Sequence, residues 1–331
     1  MPETLTIIVP CYNEEEMLET SAEVFSKIIQ TLMIGKQIST SSKVLFVDDG
    51  STDDTWNIIK RLEQESPVFS GIKFSRNFGH QNALLAGMKT AVDFSDLMVT
   101  IDCDLQDDPQ KIIEMVALSK QGNDIVYGIR SRRKTDSMFK RMTANAFYSI
   151  MKKMGTELKP NHADFRLMSK RAVRALLEYH EENLFLRGVV PMLGFKSAEV
   201  FYEREPRIHG QSKYPLKKML ALAINGITSM TDFPLKLILA AGIMAFSVSS
   251  VGLIGTGIAA IFSSVKVSSV LILSMWLIGG ILLCSMGVLG IYLYKALLET
   301  RHRPLYLIEV DDYTDFFQKK QNDRFNLLKR A

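Results

Sequence analysis

Residues 97–109 have the sequence LMVTIDCDLQDDP, an apolar run followed directly by an acidic stretch. The run at 97–101 predicts a buried strand, and Asp102 and Asp104 follow at its carboxyl end. Ligands bind at this edge of an open α/β sheet, and paired carboxylates suit Mg²⁺ or Mn²⁺. The stretch alone supports two interpretations equally: a metal that binds a diphosphate, or a solvated acidic turn before a helix with Pro109 in its first turn.

Apolar runs alternate with segments of helical length along the first half of the chain. The runs that predict strands lie at residues 5–10, 43–47, 71–74, 97–101 and 124–129. This alternation predicts a doubly wound, mainly parallel α/β sheet with helices on both faces. The polar clusters of this region each follow a strand directly, which is where such sheets bind ligands.

Four further local patterns predict elements outside these five strands. Asn13, with Glu16 three residues later, predicts an N-cap and a capping box for the first helix. Residues 161–168 indicate a polar element before a further helix. Residues 195–204 predict another strand, and residues 303–310 contain a short one.

The composition excludes some classes of protein. The chain has 331 residues, of which 47% are apolar and 23% charged, with a net charge of +4. This modest charge, with no basic motif interleaved with aromatic residues, argues against a nucleic-acid partner. Cys11, Cys103 and Cys284 are scattered and odd in number. They favour a reduced, cytosolic environment over a disulfide framework or a zinc site.

The charge is distributed unevenly along the chain, because Lys266 is the only charged residue between positions 237 and 294. The apolar segments 237–264 and 267–294 each exceed the roughly 20 residues needed to cross a hydrocarbon core of about 30 Å. They predict a transmembrane hairpin. The preceding helix, 215–230, is amphipathic and suited to a membrane surface. Basic residues flank both ends of the hairpin, which places both ends in the cytoplasm.

These patterns divide the chain into four parts. Residues 1–210 form a cytoplasmic α/β domain, and 211–234 form a juxtamembrane amphipathic region. Residues 235–296 contain the hairpin, and 297–331 form a cytoplasmic tail. The expected location is therefore the cell (inner or plasma) membrane, as a multi-pass protein with both termini in the cytoplasm.

Four motifs identify the α/β domain more closely. No Walker loop, G-x-G-x-x-G or G-x-S-x-G motif is present, which disfavours nucleotide hydrolysis, dinucleotide oxidoreduction and serine hydrolysis. The motifs that are present are IVPCYNEE at 8–15, VDDGSTD at 47–53, SRNFGHQ at 75–81 and DCDLQDDP at 102–109. Together with the hairpin, they closely resemble family 2 glycosyltransferases of the GT-A fold. Within that family they resemble the polyprenyl-phosphate glycosyltransferases, such as the dolichol-phosphate mannosyltransferases and the bactoprenol glucosyltransferases with two C-terminal membrane helices.

The resemblance covers residues 4–310 and implies a reaction. It implies inverting transfer of a sugar from a nucleotide-diphospho-sugar, preferably a UDP-sugar such as UDP-glucose, to polyprenyl (undecaprenyl) phosphate. The product would be a lipid-linked sugar for cell-envelope glycosylation. Mg²⁺ or Mn²⁺ on Asp102 and Asp104 would stabilise the leaving diphosphate. Gln106 either helps to complete the metal site or is a polar residue at the start of a helix, with equal support for each.

The resemblance also implies a binding site for the donor, and the basic residues predict one for the acceptor. It assigns the donor nucleotide to Pro10, Tyr12, Glu14, Asp48, Asp49, Asn77 and Asp102. For Asp48 and Asp49 the alternative is turn chemistry with the residues that follow them. The acceptor phosphate is predicted to bind some of Arg130, Arg132, Arg207, Ser212 and Lys213, because arginine offers bidentate donors to phosphate and lysine a point charge. The alternative is a basic face attracted to anionic lipid.

Asp164 and Arg166 match the position of the family's catalytic carboxylate and its neighbour. With a phosphate acceptor, Asp164 is expected to orient the acceptor or to support Arg166 and the metal, and a simple ion pair with Arg166 is the alternative. His80 is expected near the donor, without a catalytic role.

Two other functions compete with this interpretation. One is a polymer-forming glycosyltransferase, disfavoured because no Gln-x-x-Arg-Trp motif precedes the apolar segments. The other is a membrane scaffold that has lost the reaction, disfavoured because the acidic and basic site residues are present. The sugar, the nucleotide and self-association through the hairpin or residues 305–310 stay open.

Overall fold

The computed structural model describes residues 2–130, 162–179, 185–203, 267–301 and 303–319, with isolated helical positions between 235 and 254. These residues form two compact units. One holds the sheet, from the N-terminus to residue 203 together with residues 304–319. The other holds the described residues between 235 and 303.

The first unit contains a mixed sheet of eight described strands in the order β7-β5-β6-β4-β1-β2-β3-β8. The strands are β1 (Leu5–Cys11), β2 (Lys43–Asp48), β3 (Phe69–Phe74), β4 (Leu97–Thr100), β5 (Ile125–Arg130), β6 (His162–Ser169), β7 (Ser197–Tyr202) and β8 (Ile308–Asp311). Strands β1 to β4 pair in parallel, as do β5 and β7. The predicted, mainly parallel α/β sheet is therefore confirmed.

Strand β6 corrects the expectation of a polar element at residues 161–168. It lies in the middle of the sheet and runs antiparallel to both β4 and β5. Phe165 and Leu167 pack into the core on one face, and Met168 packs on the other. The charged Asp164 and Arg166 alternate with apolar residues at 163, 165 and 167, which is the pattern of a half-buried strand and differs from the continuous apolar run expected of a central one.

Helices cover both faces of the sheet. Their bounds are α1 (Leu18–Ile34), α2 (Thr55–Glu65), α3 (His80–Ala91), α4 (Lys111–Lys120), α5 (Lys170–Leu177), α6 (Leu186–Met192), α7 (Val267–Arg301) and α8 (residues 312–319). Apolar side chains of α1, α2 and α4 pack on one face. Those of α3, α5, α6 and α8 pack on the other. This arrangement confirms the doubly wound architecture.

The predicted N-cap at Asn13 is wrong. Helix α1 begins at Leu18, and its N-cap position, Met17, makes no side-chain cap bond. Asn13 instead has a φ of 53°, a left-handed conformation that asparagine tolerates, and its Oδ1 accepts a hydrogen bond from the Thr52 backbone amide at 2.9 Å. Asn13 therefore joins the loop after β1 to the loop after β2.

The second unit contains the 35-residue apolar helix α7. Residues Ile278–Leu297 of this helix have a mean hydropathy of 1.7 and are long enough to cross a membrane. Among the described residues, this is the one candidate span. The predicted first span, 237–264, lies largely outside the described residues, and the amphipathic region 211–234 lies entirely outside them. The two-helix hairpin is therefore not confirmed.

The start of α5 offers a test of pH-dependent stability. Asp124 accepts hydrogen bonds from Arg171 and from Ser169 Oγ, and the Arg171 bond is the main reason that the pKa of Asp124 lies below its ordinary value. Because folding lowers this pKa, the ionised carboxylate stabilises the fold above its unfolded-state pKa. That contribution is lost as the pH falls through the folded-state pKa.

We therefore expect Arg171→Gln to lower the melting temperature slightly at pH 7, with a difference from wild type that shrinks as Asp124 protonates in acid. The matched control is Arg174→Gln on the same helix. Arg174 pairs with Asp93, which is exposed. This control should change little at either pH. Thermal unfolding at several pH values measures both variants, and a pH-independent loss in Arg171→Gln would contradict this account.

Candidate active site

The polar loops predicted to form a site lie together because three parallel strands end at one edge. Cys11 pairs with Asp48 in the register of β1 and β2, and Ile8 pairs with Thr100 in that of β1 and β4. The loops after these strands therefore start side by side. Gly50 shows how closely the loops pack: its φ is +66°, and an added Cβ would lie 2.3 Å from the backbone carbon of Arg76. The 75–80 loop is thus held directly against the exit of β2.

Asp102 has the features expected of a metal ligand. Its Oδ1 is buried and accepts no hydrogen bond within the described part of the chain. Burial raises the pKa of this carboxyl to about 6. Of the cationic side chains that the structure describes, His80 lies within ion-pair distance, with its Nε2 3.6 Å from Oδ1. A buried anionic oxygen without a donor is costly, so a divalent cation fits here.

Asp104 and Gln106 lie on the same turn as Asp102. The backbone amide of Gln106 donates to Asp104 Oδ1 at 3.2 Å. Leu105, between them, has a φ of 52°, which leucine adopts only where its surroundings impose it. Cys103 is buried in the apolar core, so its thiol is directed away from the carboxylates. Among the described residues, no three His, Cys, Asp or Glu side chains are grouped so as to hold a metal ion, so these residues supply only part of a coordination shell.

Asp48 and Asp49 have different environments. Both oxygens of Asp49 accept backbone amides of the 75–80 loop, from Phe78 at 2.6 Å and from Gly79 at 2.9 and 3.2 Å. Asp48 Oδ1 accepts the Ser51 amide at 3.1 Å, whereas its buried Oδ2 has no hydrogen-bond partner among the described residues. Burial raises the pKa of both carboxyls. Asp49 therefore fixes a loop, and Asp48 is the better placed of the two to receive a ligand.

The other residues predicted to bind the donor lie around the same edge. Pro10 is buried within β1, and Tyr12 and Asn77 are exposed. The Glu14 backbone amide donates to Thr55 Oγ1 at 2.9 Å, which ties the loop after β1 to the start of α2.

Asp164 is held by three cationic side chains. Arg166 Nη2 donates to its Oδ1 at 2.7 Å, and Arg187 donates to both oxygens, at 3.2 and 2.8 Å. His80 Nε2 lies 3.5 Å from Oδ2. Burial alone would raise the pKa of Asp164, but Arg187, His80 and Arg166 outweigh it and hold the pKa well below its usual range. Asp164 is therefore an anion with little capacity to accept a proton.

His80 connects the two acidic centres of the site. Its Nε2 lies between Asp102 and Asp164, at 3.6 and 3.5 Å. Partial burial opposes the charged form, but Asp102 and then Asp164 raise the pKa of His80 to about 9. His80 is therefore a cation at neutral pH, which places positive charge where the sequence predicted only proximity to the donor.

Arg187 was missed in the sequence because it lies 23 residues beyond Asp164, on another element. Arg166 fixes that element, since its Nη1 donates to the Leu186 carbonyl at 3.4 Å. Arg166 is buried, whereas Arg187 remains about one-third exposed. The basic residue in FLRG at 185–188, just before an apolar helix, is the one sequence signal that could have indicated it.

Arg130, predicted to bind the acceptor, forms an ion pair within the protein. It donates to Asp107 Oδ1 from Nε at 2.9 Å and from Nη2 at 2.8 Å. Tyr202 Oη donates to the same oxygen at 2.7 Å. Asp107, which is not among the predicted site residues, thereby anchors the acidic loop to β5 and β7. The other predicted acceptor residues, Arg132, Arg207, Ser212 and Lys213, lie outside the described residues.

Comparison with known proteins identifies the family. Residues 6–177 match Glycosyl transferase family 2. The uncharacterized glycosyltransferase YkoT of Bacillus subtilis (strain 168) is 44% identical, over 98% of this chain and 97% of the relative. The bactoprenol glucosyl transferase of Shigella phage SfV is 35% identical, over 92% of this chain and 98% of the relative. A crystal structure of glucosyl-3-phosphoglycerate synthase from Mycobacterium tuberculosis has a TM-score of 0.43 and 17% identity, over 67% of this chain and 76% of that one. The chain therefore belongs to glycosyl transferase family 2, and it is of the bactoprenol glucosyl transferase type.

Proposed function

We propose that this protein transfers a sugar from a nucleotide-diphospho-sugar, preferably UDP-glucose, to undecaprenyl phosphate. The observation that carries the proposal is the cationic cluster at Asp164. Arg166, Arg187 and His80 surround one carboxylate, so the cluster has an excess of positive charge and contains no obvious base. A phosphate acceptor suits such a site because it is itself an anion. The full-length similarity to a bactoprenol glucosyl transferase supports a lipid carrier as the acceptor.

On the donor side, Asp102 and Asp104, with Gln106, would hold Mg²⁺ or Mn²⁺. When bound, the metal would neutralise charge that develops on the leaving nucleoside diphosphate. The buried Oδ1 of Asp102 supports this assignment, because it is an anionic oxygen without a hydrogen-bond partner among the described residues. Asp48, with its similarly placed Oδ2, is the stronger candidate of its pair for the nucleotide. Pro10, Tyr12, Glu14 and Asn77 complete the proposed donor site, and Asp49 contributes by fixing the 75–80 loop.

The proposed reaction is a direct displacement. An oxygen of the acceptor phosphate attacks the anomeric carbon, a new carbon–oxygen bond forms, and the bond to the β-phosphate oxygen breaks. The configuration at the anomeric carbon is therefore inverted. A phosphate monoester has its second pKa near 6, so it is largely ionised at neutral pH and no residue must remove a proton. Asp164 then acts by holding Arg166, Arg187 and His80 in place.

The acceptor site is proposed to combine this cluster with basic residues nearer the apolar segments. Its proposed members are Arg130, Arg132, Arg207, Ser212 and Lys213. Arg130 would contribute while it remains paired with Asp107, since a guanidinium has more donors than that one carboxylate oxygen uses. Helix α7 and the predicted segment 237–264 would anchor the protein in the cell membrane, with the catalytic domain on the cytoplasmic side.

The proposal is tested by a donor screen with the full-length protein in detergent or nanodiscs. Radiolabelled UDP-glucose, UDP-N-acetylglucosamine and GDP-mannose are each supplied with undecaprenyl phosphate and Mg²⁺. We expect one donor to give a labelled product that extracts into organic solvent. EDTA should abolish it, and added Mg²⁺ or Mn²⁺ should restore it. Absence of an organic-phase product with every donor would overturn the proposal.

A further inference from the structure

Residues 305–319 form a segment, here named the C-terminal strap, that closes one edge of the sheet. Its strand β8 runs antiparallel to β3, pairing Ile72 with Asp311 and Phe74 with Ile308. The Ser75 backbone amide donates to the Leu307 carbonyl at 3.1 Å. The pairing therefore extends past β3 into the first residue of the 75–80 loop, which carries Asn77 and His80.

The far end of the strap is firmly anchored. Tyr313 is fully buried, and its hydroxyl lies 2.8 Å from Thr6 Oγ1 and 3.1 Å from Ser95 Oγ. The rings of Phe317 and Phe94 stack with their centroids 4.8 Å apart. These contacts fix the strap to the α/β unit independently of its contacts with the loop.

The near end of the strap contacts the loop through three aromatic rings. Tyr306 stacks on Phe74, with centroids 5.2 Å apart and planes 10° apart. Phe74 meets Phe78 edge-on, at 5.7 Å and 89°. The Phe78 and Gly79 amides bind Asp49, and His80 follows immediately. A continuous series of contacts thus leads from Tyr306 to the residue that lies between the two acidic centres.

The loop depends on these contacts because few of its own side chains are buried. Residues 75–77 are exposed, and Phe78 is only partly buried. The ring of Phe78 is held by Phe74 on one side and by the Arg76 guanidinium, 3.9 Å from its centroid. Packing at Phe74 therefore acts together with the Asp49 hydrogen bonds to keep Phe78 and the Phe78 and Gly79 amides in place.

We propose that Tyr306 is a positioning residue for the active site. Its ring holds Phe74, and through Phe74 and Phe78 it keeps the 75–80 loop ordered beside the nucleotide-sugar. The segment that follows the apolar helix α7 in the chain is thereby part of the donor site's supporting structure. The kinetic consequence rests on the proposed function, whereas the ordering of the loop does not.

The test compares Tyr306→Ala with Tyr306→Phe, which keeps the ring, in the full-length protein. Hydrogen exchange at the Phe78 and Gly79 amides is the first measurement. KM values for nucleotide-sugar and polyprenyl phosphate are the second. We expect Tyr306→Ala to accelerate exchange at both amides about 10-fold, the size expected for loss of one aromatic pair. The donor KM should rise several-fold without a matching rise in the acceptor KM. In Tyr306→Phe the amide exchange and the donor KM should both be near wild type.

Phe316→Ala is the matched control within the strap. Phe316 packs over Lys43, which begins β2, so it lies at the opposite end of that strand from the site loops. We expect this variant to leave both measurements near wild type. Unchanged exchange in Tyr306→Ala, or equal acceleration in Phe316→Ala, would overturn the proposal. A wild-type protein that transfers no sugar would refute the proposed function, and the exchange measurement would still decide the role of Tyr306.

Discussion

Replacing Asp104 with asparagine is expected to lower turnover by about 10²–10³-fold, the usual loss when one group that stabilises a developing charge is removed. Asparagine keeps the size of the side chain and an oxygen that can accept the Gln106 amide. It removes a negative charge that strengthens binding of a divalent cation. The loss should therefore appear in metal binding as well as in rate. Initial rates as a function of free Mg²⁺, with Mn²⁺ binding followed by electron paramagnetic resonance, measure both effects.

Asp108→Asn is the matched control for this prediction. Asp108 lies on the same acidic stretch, and its Oδ1 accepts the Gln110 amide at 3.0 Å, a bond that asparagine can also accept. We expect this variant to keep its turnover and its metal affinity. If Asp104→Asn instead behaved like Asp108→Asn, with unchanged Mg²⁺ dependence, Asp104 would not be a metal ligand.

The second large effect is expected at Asp164. Asparagine there leaves Arg166, Arg187 and His80 without their shared anion. Removing one partner of a buried ion pair costs about 3–5 kcal/mol, and we expect the lower end of that range because Arg187 is partly exposed. Turnover should fall about 100-fold or more, since the cations that orient the acceptor lose their fixed positions. Chemical denaturation and steady-state kinetics measure these two effects.

Asp124→Asn separates the catalytic effect from the structural one. Asp124 is also buried and paired with an arginine, but its partner Arg171 lies on α5, at the start of that helix. We expect Asp124→Asn to lower stability and to keep turnover near wild type. A stable Asp164→Asn variant with wild-type turnover would show that Asp164 is not needed to position the cationic cluster for the reaction.

The sequence predicted the sheet well where local patterns determine it. Apolar runs predict five strands, each followed by an acidic or polar loop. Parallel pairing then brings the loops after β1, β2 and β4 together. The central strand β6 was missed because Asp164 and Arg166 belong both to a strand and to a site. These two residues alternate with apolar residues at 163, 165 and 167, a period-2 pattern that does indicate a strand, but a central strand is expected to be apolar on both faces.

Other features depend on contacts between distant residues, which no local pattern records. The sequence could not separate Asp48 from Asp49, because the difference arises from amides 29 and 30 residues away, at Phe78 and Gly79. Tyr202 reaches Asp107 across 95 residues. The ion pair that the sequence offered as the alternative role of Asp164 is present, but it is one part of a larger cluster with Arg187 and His80.

In the proposed reaction the acceptor reacts through its phosphate, at a site whose carboxylate is already neutralised by cations. The most direct test incubates the wild-type protein with Mg²⁺ and labelled donor. It compares the labelling of undecaprenyl phosphate with that of undecaprenol, which lacks the phosphate. We expect rapid labelling of undecaprenyl phosphate, sensitive to EDTA, and no detectable labelling of the alcohol. Equal labelling of the alcohol would contradict the proposal, because that reaction requires a base to remove the hydroxyl proton.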